Sequence, residues 1–117
     1  QVISMTDVSQ RDRLYQAHAD ICKSFSNPWR LRILDALGGG EHPVSELVQA
    51  LGIAKSNVSQ HLAIMRDKGV VLARREGGHV FYHLSTPKIL EACRLMREVL
   101  MELMEEAGIL AQAQRRA

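Results

Sequence analysis

The sequence predicts a mostly α-helical fold carrying one two-stranded β-ribbon, and three observations predict it. Apolar residues recur every three to four positions through most of the chain. A short turn at Gly52 separates two such stretches. After Gly69 the period switches to alternation on either side of Gly77-Gly78, and helical spacing then resumes.

The first helix is expected over about Val8–Ser26, with Leu14, His18, Ile21, Cys22 and Phe25 on one buried face. Asn27 is suited to cap the next helix and Pro28 to its first turn. That second helix carries Leu31, Ile33, Leu34 and Leu37, and Gly38-Gly39-Gly40 ends it. Pro43 and Ser45 open a short third helix with Val44, Leu47, Val48 and Leu51 inward, and Gly52 supplies its left-handed end. A fourth helix is expected over Lys55–Lys68, with Val58, Leu62 and Met65 at i, i+4 and i+7 and a polar opposite face.

The alternating residues 70–75 and 79–84 form the ribbon, turning at Glu76-Gly77-Gly78. Two helices around a tight turn followed by such a ribbon make a winged helix-turn-helix. Pro87 sits in the first turn of a long last helix, where Ile89, Cys93, Met96, Leu100 and Leu103 step by four and three as a heptad seam. At 1.5 Å per residue this helix reaches roughly 30 Å, too long for so small a core to cover. A second copy of the chain, docked through the first and last helices, is the expected cover.

With 117 residues there is room for one domain, expected over 8–107. Residues 1–7 are expected to be a disordered or appended N-terminus and 108–117 a flexible tail. Hydrophobic content of 46% and charged content of 24% mark a globular chain, and 4% aromatics argue against a base-stacking platform for single strands. No apolar run approaches the roughly 18 residues of a membrane span, so no membrane partner is expected. Without a charged-then-apolar leader and with only two cysteines, a cytoplasmic location is expected. The excess positive charge lies between Pro28 and Leu84, where seven basic residues oppose five acidic ones. That excess by itself is within ordinary scatter.

The stretch Ala54–Val71, AKSNVSQHLAIMRDKGVV, carries the functional reading. A helix entering the major groove presents short hydrogen-bonding side chains at its N-terminal end, where they meet base edges. Lys55, Ser56, Ser59 and Gln60 supply those groups, with Asn57 and His61 flanking them. Gln60 is suited to a bidentate contact with adenine, Ser56 and Ser59 to bases or phosphates, and Lys55 to phosphate. The bland alternative is a solvated helix face.

SNPWRLRILDAL (26–37), VSELVQALGIAKSNVSQHLAIMRDKGVV (44–71) and REGGHVFYHL (75–84) together resemble the ArsR/SmtB family of metal- and stress-responsive repressors. The resemblance implies a homodimer that binds an inverted-repeat operator in double-stranded DNA and leaves it when an inducer is sensed. It assigns DNA reading to Lys55, Ser56, Ser59 and Gln60, and wing contacts to Arg75, Gly78 and His79. It does not extend to the family's familiar metal sites. The segment SELVQAL holds no cysteine, and the last helix opens on Ser85, Thr86, Pro87 and Lys88. No cofactor is therefore expected.

Cys22 and Cys93 fall on the apolar stripes of the first and last helices. They read first as small core hydrophobes and second as a thiol sensor, in which a disulfide would reset the angle between two DNA-reading heads. A third reading sets His18 and Cys22, four apart, with Cys93 as soft-metal ligands. Competing functions are an enzyme, for which no phosphate loop or paired carboxylates are present, and a dimeric interaction module without sequence-specific DNA binding. The polar set at Lys55, Ser56, Ser59 and Gln60 argues against the module, which would be free to lose it.

Overall fold

The computed structural model describes residues 8–108. The expected N-terminal segment 1–7 and, apart from Gly108, the expected tail 108–117 lie outside them. The described residues fall into two compact units, divided between Ser85 and Thr86. The first holds α1 (Val8–Ser24), α2 (Pro28–Leu37), β1 (His42–Pro43), α3 (Val44–Leu51), α4 (Lys55–Asp67), β2 (Val71–Glu76) and β3 (His79–Leu84); the second holds α5 (Lys88–Glu106).

α1 stops two residues earlier than expected. The Ser24 hydroxyl donates to the Ile21 carbonyl at 2.6 Å, and the Phe25 and Ser26 amides turn back three residues to Cys22 and Lys23. The last turn is thereby tightened and the helix released. The face expected to be buried is open: Leu14 is 49% exposed, and His18, Ile21 and Cys22 are exposed with it. Periodicity marks an apolar face but does not say which chain covers it.

Asn27 caps α2 as expected, its side-chain oxygen accepting from the amides of Trp29 at 2.8 Å and Arg30 at 3.2 Å. Leu31, expected inward, is partly exposed, while Ile33, Leu34 and Leu37 are buried. α3 ends at Gly52 with φ 71°, the left-handed conformation that glycine adopts without a Cβ penalty. Leu47 is the buried residue of this helix, while Val44, Val48 and Leu51 are half-buried. Val58, Leu62 and Met65 of α4 are fully buried beside them, and Val70 and Val71 complete the core.

The ribbon gains a strand that the sequence pattern did not announce. The sheet runs β1-β3-β2, all antiparallel, with His42 opposite Tyr82 and Pro43 opposite Phe81. A two-residue strand is too short to show alternation, and its proline fits only a sheet edge. β2 and β3 pair from Val71–Leu84 out to Glu76–His79. Gly77 and Gly78 close the hairpin at φ 55° and 85°, a two-residue turn with both central residues left-handed.

In the second unit, α5 carries an exposed Arg94 that bridges Glu91 and Glu98 one turn to either side. Of the expected seam, Cys93 is buried, whereas Met96 (66%), Leu100 and Leu103 (57%) are exposed. Among the described residues no helix is long and apolar enough to cross a membrane.

Candidate nucleic-acid interface

The candidate reading surface is built by α4. Its buried stripe of Val58, Leu62 and Met65 fixes the helix's rotation, and the opposite side therefore carries Lys55, Ser56, Asn57, Ser59 and Gln60 into solvent. Ala54 at the N-cap has no side-chain acceptor, so the first-turn amides of this helix lack a side-chain cap. Positive partial charge and short polar side chains thus share one end of the helix.

His61 departs from this set. It is half-buried, and its Nδ1 lies 3.4 Å from a guanidinium nitrogen of Arg30 on α2. Desolvation, and then the nearby Arg30 charge, hold its pKa below the ordinary value. A neutral imidazole accepting from Arg30 results, and Arg30 Nε in turn donates to the Ser24 carbonyl at 2.9 Å. The end of α1, the start of α2 and the middle of α4 are joined through this one side chain. Sequence spacing held no signal for it, because His61 and Arg30 are 31 positions apart.

The wing places Gly78 and His79 at its exposed tip and Arg75 on an exposed strand position. Its neighbour Arg74 serves the fold instead. The Arg74 guanidinium donates to both oxygens of Glu41, with contacts at 2.8 and 2.9 Å, and to Glu76 at 2.6 Å, while lying 5.0 Å over the Phe81 ring. Alternation along β2 separates these roles by turning Arg74 and Arg75 to opposite faces. His83 Nδ1, buried and without a hydrogen-bond partner, lies 3.5 Å from Glu41 Oε2.

The hydrogen bond from Arg74 is the largest influence holding the Glu41 carboxyl below its ordinary value of 4.5. A carboxyl with a depressed folded-state pKa contributes stability above its ordinary pKa and loses it as pH falls through the folded value. Wild type is therefore expected to be somewhat more stable than Glu41→Gln at neutral pH. The two should converge on acidification well below pH 4.5, as read by thermal melts across pH. A constant gap at every pH would show that the pair's ionisation contributes nothing.

The two thiols are unlike each other: Cys22 is exposed and Cys93 buried. The first reading of Cys22, as a core hydrophobe, therefore does not describe it within its own chain. Among the described residues no three His, Cys, Asp or Glu side chains gather as a metal site. His18 and Cys22 stand a turn apart on the open side of α1.

The helix-turn-helix and its flanks, residues 27–72, match the family model described as bacterial regulatory protein, arsR family. An uncharacterized HTH-type transcriptional regulator of Mycobacterium tuberculosis is 35% identical over 98 residues, spanning 83% of this chain and 86% of that one. The transcriptional repressor SdpR of Bacillus subtilis is 30% identical over 77 residues, 66% of this chain and 86% of the relative. Among solved structures, the homodimeric winged helix-turn-helix DNA-binding domain Mb0332 of Mycobacterium bovis superposes with a TM-score of 0.77 at 28% identity. That match covers 87% of this chain and 94% of the other. Matched over its helix-turn-helix and along most of a relative's length, and sharing the winged architecture, this chain belongs to the ArsR family of bacterial regulatory proteins.

Proposed function

We propose that the protein is a homodimeric transcriptional repressor that places the N-terminal ends of two α4 helices in successive major grooves of an inverted-repeat operator. The observation that carries this reading is the division of α4. One side is locked into the core by Val58, Leu62 and Met65, and the other offers Lys55, Ser56, Ser59 and Gln60 to solvent, as the wing offers its exposed tip. Apolar side chains left open on α1 (Leu14, Ile21) and on α5 (Met96, Leu100, Leu103) support a second copy as the dimer partner. The homodimeric state of the M. bovis domain supports it too.

Fluorescence anisotropy on promoter duplexes at several salt concentrations tests the reading. Steep salt dependence together with a sequence preference is expected. Arg75→Ala should weaken binding to all sequences alike, as a phosphate or minor-groove contact would. Flat salt dependence without preference would favour a dimeric interaction module instead.

Release from the operator needs an inducer that binds the free form about 1–3 kcal/mol better than the DNA-bound form. A thiol switch is the second reading, favoured by the exposure of Cys22 to oxidants. Oxidant is then expected to weaken operator binding in wild type but not in Cys22→Ser or Cys93→Ser. Equal responses in all three proteins would remove the switch.

A further inference from the structure

A cleft of about 440 Å³ opens between α4 and the wing, lined by Ser59, Ala63, Arg66, Asp67 and Tyr82. Its helical wall continues a stripe already met. Lys55, Ser59, Ala63 and Arg66 follow at i, i+4, i+8 and i+11, so the cleft begins one turn beyond the expected DNA-reading end of the helix. Ala63 keeps the middle of that wall low, and Tyr82 of β3 closes the other side.

The donors at this cleft are unspent. Among the described residues the side chains of Arg66, Ser59 and Tyr82 make no hydrogen bond or ion pair, in contrast with Arg74 and Arg30, whose side chains are engaged within the fold. Asp67, next in sequence to Arg66, lines the same cleft.

We infer that this cleft is a second DNA-contact site: Arg66 and Tyr82 hold one phosphodiester group of the bound duplex, beside the bases addressed by Ser59 and Gln60. A guanidinium and a phenol fix a phosphate in position without reading sequence. The cleft thereby sets the depth and register at which α4 enters the groove. Asp67 is the opposing group. Its carboxylate repels the same phosphate and limits affinity.

This inference rests on α4 being the reading helix, which is tested separately by wild-type binding and by Gln60→Ala on the same duplexes. The decisive experiment places a single neutral methylphosphonate at each backbone position of the operator in turn, and titrates wild type, Arg66→Ala, Tyr82→Phe and Asp67→Asn on each. On unmodified operator, Arg66→Ala should lose roughly tenfold or more in affinity for every sequence alike, with a salt slope lower by about 1 per contact. Tyr82→Phe should lose less and leave the salt slope unchanged, and Asp67→Asn should bind more tightly.

At one backbone position per half-site, the methylphosphonate should weaken wild type yet cost Arg66→Ala nothing further. Inorganic phosphate at millimolar concentration should not reproduce the effect of DNA on the cleft, as read by Tyr82 fluorescence or chemical shift. The inference is overturned if Arg66→Ala, folded by circular dichroism, binds as wild type does. It is equally overturned if its loss stays the same at every methylphosphonate position, or if Asp67→Asn weakens binding.

Discussion

Leu62→Ala is expected to lower the free energy of unfolding by about 3 kcal/mol, within the 2–5 kcal/mol that such core truncations cost. Leu62 is 1% exposed, and it sits between Val58 and Met65 on the side of α4 that is packed into the core. Removing three heavy atoms forfeits their transfer free energy and leaves a cavity that rigid neighbours fill incompletely. For a domain of this size the loss corresponds to a fall in Tm of about 15 °C. Ile64→Ala, two residues along the same helix but 37% exposed, is the control and should cost less than about 1 kcal/mol. Both melts need one protein concentration, because dimerisation makes apparent stability concentration-dependent. Equal losses at the two positions would contradict the helix rotation on which the exposed polar face depends.

Gln60→Ala is expected to cost about 1–3 kcal/mol on the cognate operator and to relax sequence preference at one base pair in each half-site. Gln60 stands on the exposed side of α4, its amide able to donate and accept in the same plane. Adenine presents the complementary acceptor and donor in the major groove. The expected signature is selective, with affinity for the cognate site falling toward that of single-base variants while non-specific binding stays near its wild-type value. Arg75→Ala is the contrast, since a phosphate contact weakens every sequence alike. If Gln60→Ala also weakened all sequences equally, it would be a backbone contact.

The parts of the fold written by local chemistry were legible in the sequence. Asn27-Pro28, Gly52 and Gly77-Gly78 mark the boundaries because capping and left-handed turns demand those residue types at those places. The rotation of α4 was legible too, because three apolar residues at helical spacing leave one solution. What was not legible depends on partners distant in sequence. The ribbon's alternation puts Arg74 and Arg75 on opposite faces, but it does not say which of them meets Glu41, 33 positions from Arg74 in sequence. β1 has two residues, one a proline, and is a strand only because β3 lies beside it. His61 sits in the middle of the candidate reading segment, yet Arg30 draws it toward α2. The apolar stripe of α1 is legible as a stripe, but periodicity does not say what covers it, and within the chain Leu14 and Ile21 are exposed.

The central claim is that two α4 helices, held on one shared scaffold, engage two half-sites together. It is tested most directly by inserting five base pairs between the half-sites of the operator. The insertion turns one half-site by about half a helical turn, to the far side of the duplex. A dimer of fixed geometry can then engage only one half-site, and affinity is expected to fall by about a hundredfold or more, to that of an isolated half-site. Affinity unchanged by the insertion would mean that each chain binds alone, contradicting the account.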